Sequence, residues 1–395
     1  VLLTSQDVEA RLVAVEALSR VRHDRSIDLL ADVLGGDPAE RVRLRAARAL
    51  ARVQDDVVAR RALVRAIADP SVDVTLVAVR ALGEARDASA AAALHKRLGL
   101  GTPEVNDAVE EAIASIHRTD VIGFLDRMMG EDRPEALAAA VRVLERIGSR
   151  EALPLLEQLV LSRDALVRRA AVRACAVIAG RDATRIVDRA LDDPSEDVRV
   201  TALEALAASR SAVVLERLSA LRGDPSVLVR VRLARALAAF SPDAAAPLLE
   251  ALATDVAAAV RASALATMLE SCEASTLTAF ARHWPKAAID TRHEMRDDPR
   301  AAIITDRLAG LLGASADPTL RAAAVAGISA LAAPGWPLRL VLALRDPSPD
   351  VRVAAVHALA PVDDEDVRAR VAALLSDPDE RVRESARRAQ MRMVG

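Results

Sequence analysis

Apolar residues recur along this chain at helical spacing, and the pattern itself repeats. In the stretch Asp193–Leu206, Val198, Ala202, Ala205 and Leu206 form one stripe of a helix, with charged residues between them turned away. Val42, Ala46, Ala49 and Leu50 repeat the stripe, as do Val229, Leu233, Ala236 and Leu237, and Val351, Ala355, Ala358 and Leu359. The leading apolar residue serves as a ruler. Its equivalents are Ala10, Val42, Val74, Val105, Ala136, Val167, Val198, Val229, Val260, Leu320, Val351 and Val382, at steps of 31 or 32 residues with one double step of 60. Such a period predicts about thirteen repeats, one of them degenerate around Ile289–Met295.

A shorter helical pattern precedes most of these motifs, as in Ser26–Leu34, Val57–Ala68, Ala88–Leu98, Ala152–Leu161, Ala183–Leu191 and Pro242–Ala253. Each period is therefore a helix pair that cannot bury its stripe alone and must stack on its neighbours. The reading is an all-α solenoid forming one array over residues 1–395. Its repeats are regular over 1–270 and 314–395 and irregular over 271–313, with the irregularity centred on 284–300. The Asp-Pro opening of the longer helix reads as an N-cap followed by proline at the first helical position. Acidic residues such as Glu196 and Asp197 suit the positive end of the helix dipole. Alanines at positions such as Ala46, Ala49, Ala202, Ala205, Ala355 and Ala358 allow close helix approach.

The pattern Asp-Pro-x-x-x-Val-Arg-x-x-Ala-x-x-Ala-Leu, preceded by a leucine-rich helix, resembles the HEAT repeat. Its short period resembles the HEAT-like repeats of the phycobilisome bilin lyases. The resemblance covers nearly the whole chain and implies a right-handed superhelix whose second helices line a concave surface. It also implies that Arg43, Arg199, Arg230, Arg352 and Arg383, with Arg168, Arg261 and Arg321 in weaker copies, each reach an aspartate of an adjacent repeat. The aspartates of the motif are Asp37, Asp193, Asp224, Asp346 and Asp377. Tetratricopeptide repeats, with aromatic residues in units of about 34, and ankyrin repeats, with Thr-Pro-Leu-His, fit worse.

Composition narrows the function. Lys and Arg total 54 against 57 Asp and Glu, a net charge of −3, so nothing draws the chain as a whole to nucleic acid. Aromatic residues make up 1% and tyrosine is absent, which leaves few rings for stacking on bases or cofactors. No apolar run is long enough to insert in a membrane. Cys175 takes a core position and Cys272 lies far from it, which reads as reduced thiols in a cytoplasmic protein. The alanine- and arginine-rich composition resembles that of bacterial proteins. The first motif, Ser5–Leu18, lacks a preceding helix, and the last, Asp379–Met393, shows no polar cap. Both ends are expected to continue into a longer chain or to pack against flanking domains.

Two constellations stand outside the stacking pattern. Six positions past the ruler lie Glu16, Arg48, Arg80, Glu111, Arg142, Arg173, Glu204 and Arg235, followed by Ala266, Ala326, His357 and Arg388. Arg48, Arg80, Glu111, Arg142, Arg173, Glu204 and Arg235 are the expected contact stripe for a protein partner, one with an acidic segment. His283, Trp284, His293 and Glu294 mark a second patch in the irregular repeat. With Asp290, its two histidines and glutamate raise the idea of a metal site. HEAT-type deoxyhypusine hydroxylases hold iron through several His-Glu pairs, however, and only His293-Glu294 occurs here, so neither metal nor cofactor is expected. No phosphate-binding glycine loop or nucleophile elbow occurs. The function expected is a non-catalytic protein-interaction scaffold. The alternative is a bilin lyase or chromophore chaperone. A HEAT-like DNA-repair protein is weaker, because Trp284 and Trp336 lie outside the stripes.

Overall fold

A computed structural model describes residues 2–394, except Arg22 and Thr119 and the side chains of Arg181, Ala212 and Val394. The described residues form 25 α-helices and short 3-10 turns, with no strand among them. They divide into two compact units, Val1–Ala202 and Leu203–Gly395.

The first unit opens with α1 (Val8–Ser19), a second-type helix with only a 3-10 turn before it. Helix pairs follow: α2 (Asp24–Gly36) with α3 (Glu40–Leu50), α4 (Val57–Ala66) with α5 (Val72–Glu84), and α6 (Ala91–Arg97) with α7 (Pro103–Ile116). Next come α8 (Val121–Met129) with α9 (Pro134–Ile147), α10 (Leu153–Leu159) with α11 (Ala165–Ala179), and α12 (Thr184–Arg189) leading to α13 (Glu196–Ala207). Second helices pack in series, α1 on α3, α3 on α5, α5 on α7, α7 on α9 and α9 on α11.

The second unit continues with α14 (Ala212–Ser219) and α15 (Val227–Ala236), α16 (Pro242–Leu252) and α17 (Ala258–Glu270), and α18 (Ala274–His283) and α19 (Ile289–Arg296). It ends with α20 (Ala301–Ala314) and α21 (Pro318–Leu331), α22 (Trp336–Leu340) and α23 (Pro349–Leu359), and α24 (Glu365–Ala373) and α25 (Glu380–Val394). Here α15 packs on α17, α17 on α19, α21 on α23 and α23 on α25. The all-helical solenoid of the sequence analysis is what the chain forms.

The ruler residues are the reason the helices stack. Val42, Val74, Val198, Val229, Val260, Val351 and Val382 are all 0% exposed. Ala10 and Leu320 are only half-buried. Small residues let the second helices meet closely. A Cβ on Gly83 of α5 would stand 2.8 Å from Cα of Ala112 on α7.

The helix starts differ from the sequence reading. In most repeats the aspartate of Asp-Pro is not the N-cap. Asp37 accepts the Ala39 amide at 2.8 Å, Ala39 is the N-cap, and the helix begins at Glu40. Asp69, Asp224 and Asp346 close the same two-residue turn before N-caps Ser71, Ser226 and Ser348. The cause is the double duty of the carboxylate, which must face the previous repeat while it turns the chain. Only where α21 begins does Asp317 cap the helix with Pro318 in its first turn.

Several second helices end in a residue of positive φ. Gly148 closes α9 in the left-handed region with φ of 71° and ψ of 21°, while Gly180 closes α11 at φ of 56° and ψ of −123°, a positive-φ conformation outside it. Ala332 closes α21 with φ of 47° and ψ of 33°, where its Cβ crowds the backbone. Ala332→Gly is expected to raise stability by roughly 0.5–1 kcal/mol in denaturant unfolding, the relief of that strain less the added freedom of the unfolded chain.

The irregular repeat falls where the period breaks. Its second helix, α19, has only 8 residues. Pro299 stops it, since the residue before a proline is driven out of the α region. Thr291 takes the ruler position, at 0% exposure, and Arg292 follows it as arginine does elsewhere. Where α19 falls short, α21 reaches α17: a Cβ on Gly327 would stand 2.7 Å from a Leu269 methyl. Arg300 fills the remaining gap. It donates to Glu270 at 2.9 Å, to Thr267 at 3.0 Å and to Asp298 at 2.9 Å. Burial pushes the Asp298 carboxyl up, but Arg300 outweighs it and the group stays below the usual carboxylate range.

Candidate interaction surface

The Asp–Arg pair joins one repeat to the next. Arg43 Nε donates to Asp69 Oδ2 at 2.9 Å and Nη2 to Oδ1 at 3.0 Å, while Nη1 returns to the carbonyl of Asp37 at 3.0 Å. The same fork links Arg11 to Asp37, Arg168 to Asp193, Arg230 to Asp255, Arg321 to Asp346 and Arg352 to Asp377. The arginine therefore reaches the aspartate of the following repeat and only the carbonyl of its own. Arg352 and Arg321 hold Asp377 and Asp346 below the usual carboxylate range. Burial pushes Asp193 and Asp255 up, yet their arginines and turn amides outweigh it and both sit low.

The rung is not present in every repeat. Thr75, Asn106 and Leu137 occupy the arginine position in three successive motifs. Thr75 only donates to the Asp69 carbonyl at 3.1 Å, and Asn106 closes its own loop on Gly101. Next to the irregular repeat, Arg261 of α17 turns to both oxygens of its Asp290, at 2.8 and 2.9 Å.

The stripe six positions past the ruler lies on the second helices, and the structure sorts its members by what they meet. Arg142 donates to Oε1 of Glu110, a carboxylate only 3% exposed, at 2.8 Å from Nε. Arg146 pairs with Asp107 on the same side. Arg173 pairs with Glu145 at 2.9 Å, Glu204 with Arg232 at 3.5 Å, and Glu16 with Arg45 at 2.7 Å. Arg235 is half-buried and faces the charge of Asp298. Arg48 and Arg80 differ. Both are exposed, and among the described residues neither has an ion-pair partner. Arg80 and exposed Glu111 border an open cleft of about 260 Å³ with Gly83, Ala108 and Ala112.

The irregular patch does not assemble into one site. Trp284 stacks on Phe280 at 5.7 Å and carries the Arg292 guanidinium at 5.1 Å over its ring, so the tryptophan belongs to the packing. His283, at the end of α18, lies 3.8 Å from Glu250. His293 and Glu294 are exposed on α19, and Asp290 is committed to Arg261. Among the described residues, no three metal-ligating side chains converge.

One cluster carries no sequence signal. His95 Nε2 lies 3.0 Å from His117 Nε2; His117 stacks on Phe124, and His95 meets the same ring at a tilt of 41°. These residues are separated in sequence and fall at no repeat of the ruler, so only the fold brings them together. Burial pushes the Cys175 thiol up to about 11, as fits its place in the core of α11. No described helix is long and apolar enough to cross a membrane.

Helix pairs stacked through a buried ruler residue and an Arg–Asp rung define an α-solenoid. A family model for HEAT repeats matches residues 1–76, 123–207, 183–270 and 304–391, and the chain belongs to the HEAT-repeat family. No curated protein matches the sequence. Among solved structures, the chain is similar to Kap95p in its complex with RanGDP, with 16% identity and a TM-score of 0.52 over 98% of this chain and 65% of that one. It thus spans less than two thirds of that protein, and the likeness is one of fold. An engineered protein is matched over 100% of this chain and 97% of its own, with 19% identity and a TM-score of 0.34. The complex of CpcE and CpcF of phycocyanin lyase from Nostoc sp. PCC7120 is matched over 56% of this chain and 92% of its own, with 23% identity and a TM-score of 0.28.

Proposed function

We propose that this chain is a non-catalytic scaffold that binds an acidic segment of a protein partner along the face of its second helices. One observation carries the reading. Along the stripe, Arg142 and Arg173 are neutralised by Glu110 and Glu145, while Arg48 and Arg80 are exposed without such partners. Successive second helices pack about 8–10 Å apart, so the two guanidinium groups stand at adjacent steps of one face. A carboxylate-bearing segment laid across α3 and α5 meets both. Glu111 at the next step limits that positive stretch and sets its register. The remaining stripe residues, Glu204 and Arg235 among them, hold the face together through lateral contacts.

The test is affinity capture from cells of the source organism, with bound proteins quantified for wild type and for R48E/R80E. Reversing both charges against an acidic partner is expected to weaken binding on the order of 100-fold and to leave thermal stability unchanged, since neither arginine is paired. A partner retained equally by both proteins contradicts the reading.

A further inference from the structure

His95 on α6 and His117 at the C-cap of α7 aim Nε2 at Nε2 across 3.0 Å. While at least one ring is neutral, a single proton in that gap makes a hydrogen bond, whereas protonation of both rings sets two N–H donors and two positive charges against each other. The rings stack with centroids 5.1 Å apart. Phe124 of α8 covers both, 5.0 Å from His117 and 5.1 Å from His95. The cluster thus joins both helices of one repeat to the first helix of the next. It lies in the stretch where Thr75, Asn106 and Leu137 replace the rung arginine. There Arg133 reaches the carbonyls of Leu98 and Lys96, at 3.0 and 3.4 Å, and its only carboxylate contact among the described residues is Glu131 of its own loop, at 3.2 Å.

We propose that this ring cluster makes the α6–α7–α8 junction an acid-sensitive joint, closed while the two histidines share one proton and opened when both are charged. The charged groups that bear on the rings are Arg127, which opposes protonation of both, and Asp120, which favours it at His117. Those two are paired at 3.2 Å, and at His117 the effect of Arg127 exceeds that of Asp120. Burial, then His117 and Arg127, push His95 down to about 4. Burial, then Arg127, also lower His117, against Asp120. A freed histidine titrates near 6.5. The open joint therefore binds protons that the closed one refuses. The closed state is fully favoured above about pH 6.5 and loses that preference as pH falls toward 4, at up to about tenfold in the opening constant per pH unit.

Hydrogen exchange over residues 91–129, corrected for the intrinsic rate, tests this between pH 7 and 4.5, with residues 227–252 as control. Wild type is expected to exchange at least about tenfold faster at the lower pH in 91–129 only. His95→Gln, which cannot take up a proton, is expected to flatten that response. An equal pH response in both proteins overturns the proposal. Carbon-detected NMR titration of the wild-type histidines decides the matter if the variant does not fold: one ring titrating near 4 supports the joint, and two titrating near 6.5 overturn it.

Discussion

Replacing Arg230 by alanine is expected to destabilise the chain by about 3 kcal/mol, the low end of the range for breaking a buried ion pair. Arg230 is 7% exposed and makes four contacts. Nε and Nη2 reach Asp255 at 2.8 and 3.1 Å, and Nη1 reaches the carbonyls of Asp224 and Pro225 at 2.6 and 3.4 Å. Truncation leaves Asp255 largely buried with only its turn amide and the carbonyls unanswered. For a unit of this size the loss corresponds to roughly 6–12 °C in the unfolding midpoint. Arg230→Lys restores the charge but not the fork and is expected to recover less than half. The exposed pair Arg381–Asp350, at 62% and 63% side-chain exposure, supplies the contrast, and its removal is expected to leave the unfolding midpoint unchanged. The sign with pH follows from Asp255, held below the usual carboxylate range. The rung's contribution is complete above about pH 4 and fades as pH falls further, so wild type and Arg230→Ala converge in acid. Chemical denaturation at pH 7 and pH 3 checks both statements. Equal stability of the two proteins at pH 7 removes the rung as a clamp.

Gly83→Ala is expected to cost about 2 kcal/mol or more, although alanine is the better helix former. The added Cβ meets Cα and Cβ of Ala112, both at 2.8 Å. Backbone cannot rotate aside, so α5 and α7 must separate and the apolar contacts of Val79, Leu82, Val109 and Ile113 loosen with them. Gly310 in α20 has nothing within 4 Å of the same position, and Gly310→Ala is expected to stabilise by about 0.5–1 kcal/mol. Opposite shifts in unfolding midpoint for two identical substitutions separate close helix contact from helix propensity. A neutral Gly83→Ala means the two helices are not held in contact.

The repeat architecture was legible because one physical demand, burial of Val42 and its equivalents, recurs at a fixed interval and each copy corroborates the others. The Arg–Asp rung was legible through the family resemblance, but its wiring was not. Sequence shows Asp37 six residues before Arg43 and nothing to say that Arg43 reaches Asp69 instead. The N-cap role that the Asp-Pro motif suggests for the aspartate fails for a related reason. An N-cap and a turn two residues earlier use the same residue types, and only the path of the chain distinguishes them. The stripe positions follow from the period, but ion pairs across neighbouring helices had to be seen before Arg48 and Arg80 separated from Arg142 and Arg173. The His95–His117 pair was invisible, since neither residue belongs to the periodic pattern and their meeting depends on how α6 and α8 flank α7.

The central claim is that periodic residues hold the array together while exposed, unpaired stripe residues meet the partner. Its most direct test is the affinity of the captured partner for Arg230→Ala and for R48E/R80E, measured by titration at a temperature where both remain folded. The account predicts wild-type affinity for Arg230→Ala, despite its lower stability, and a loss on the order of 100-fold for R48E/R80E with stability unchanged. Loss of affinity in Arg230→Ala with full binding by R48E/R80E would contradict it.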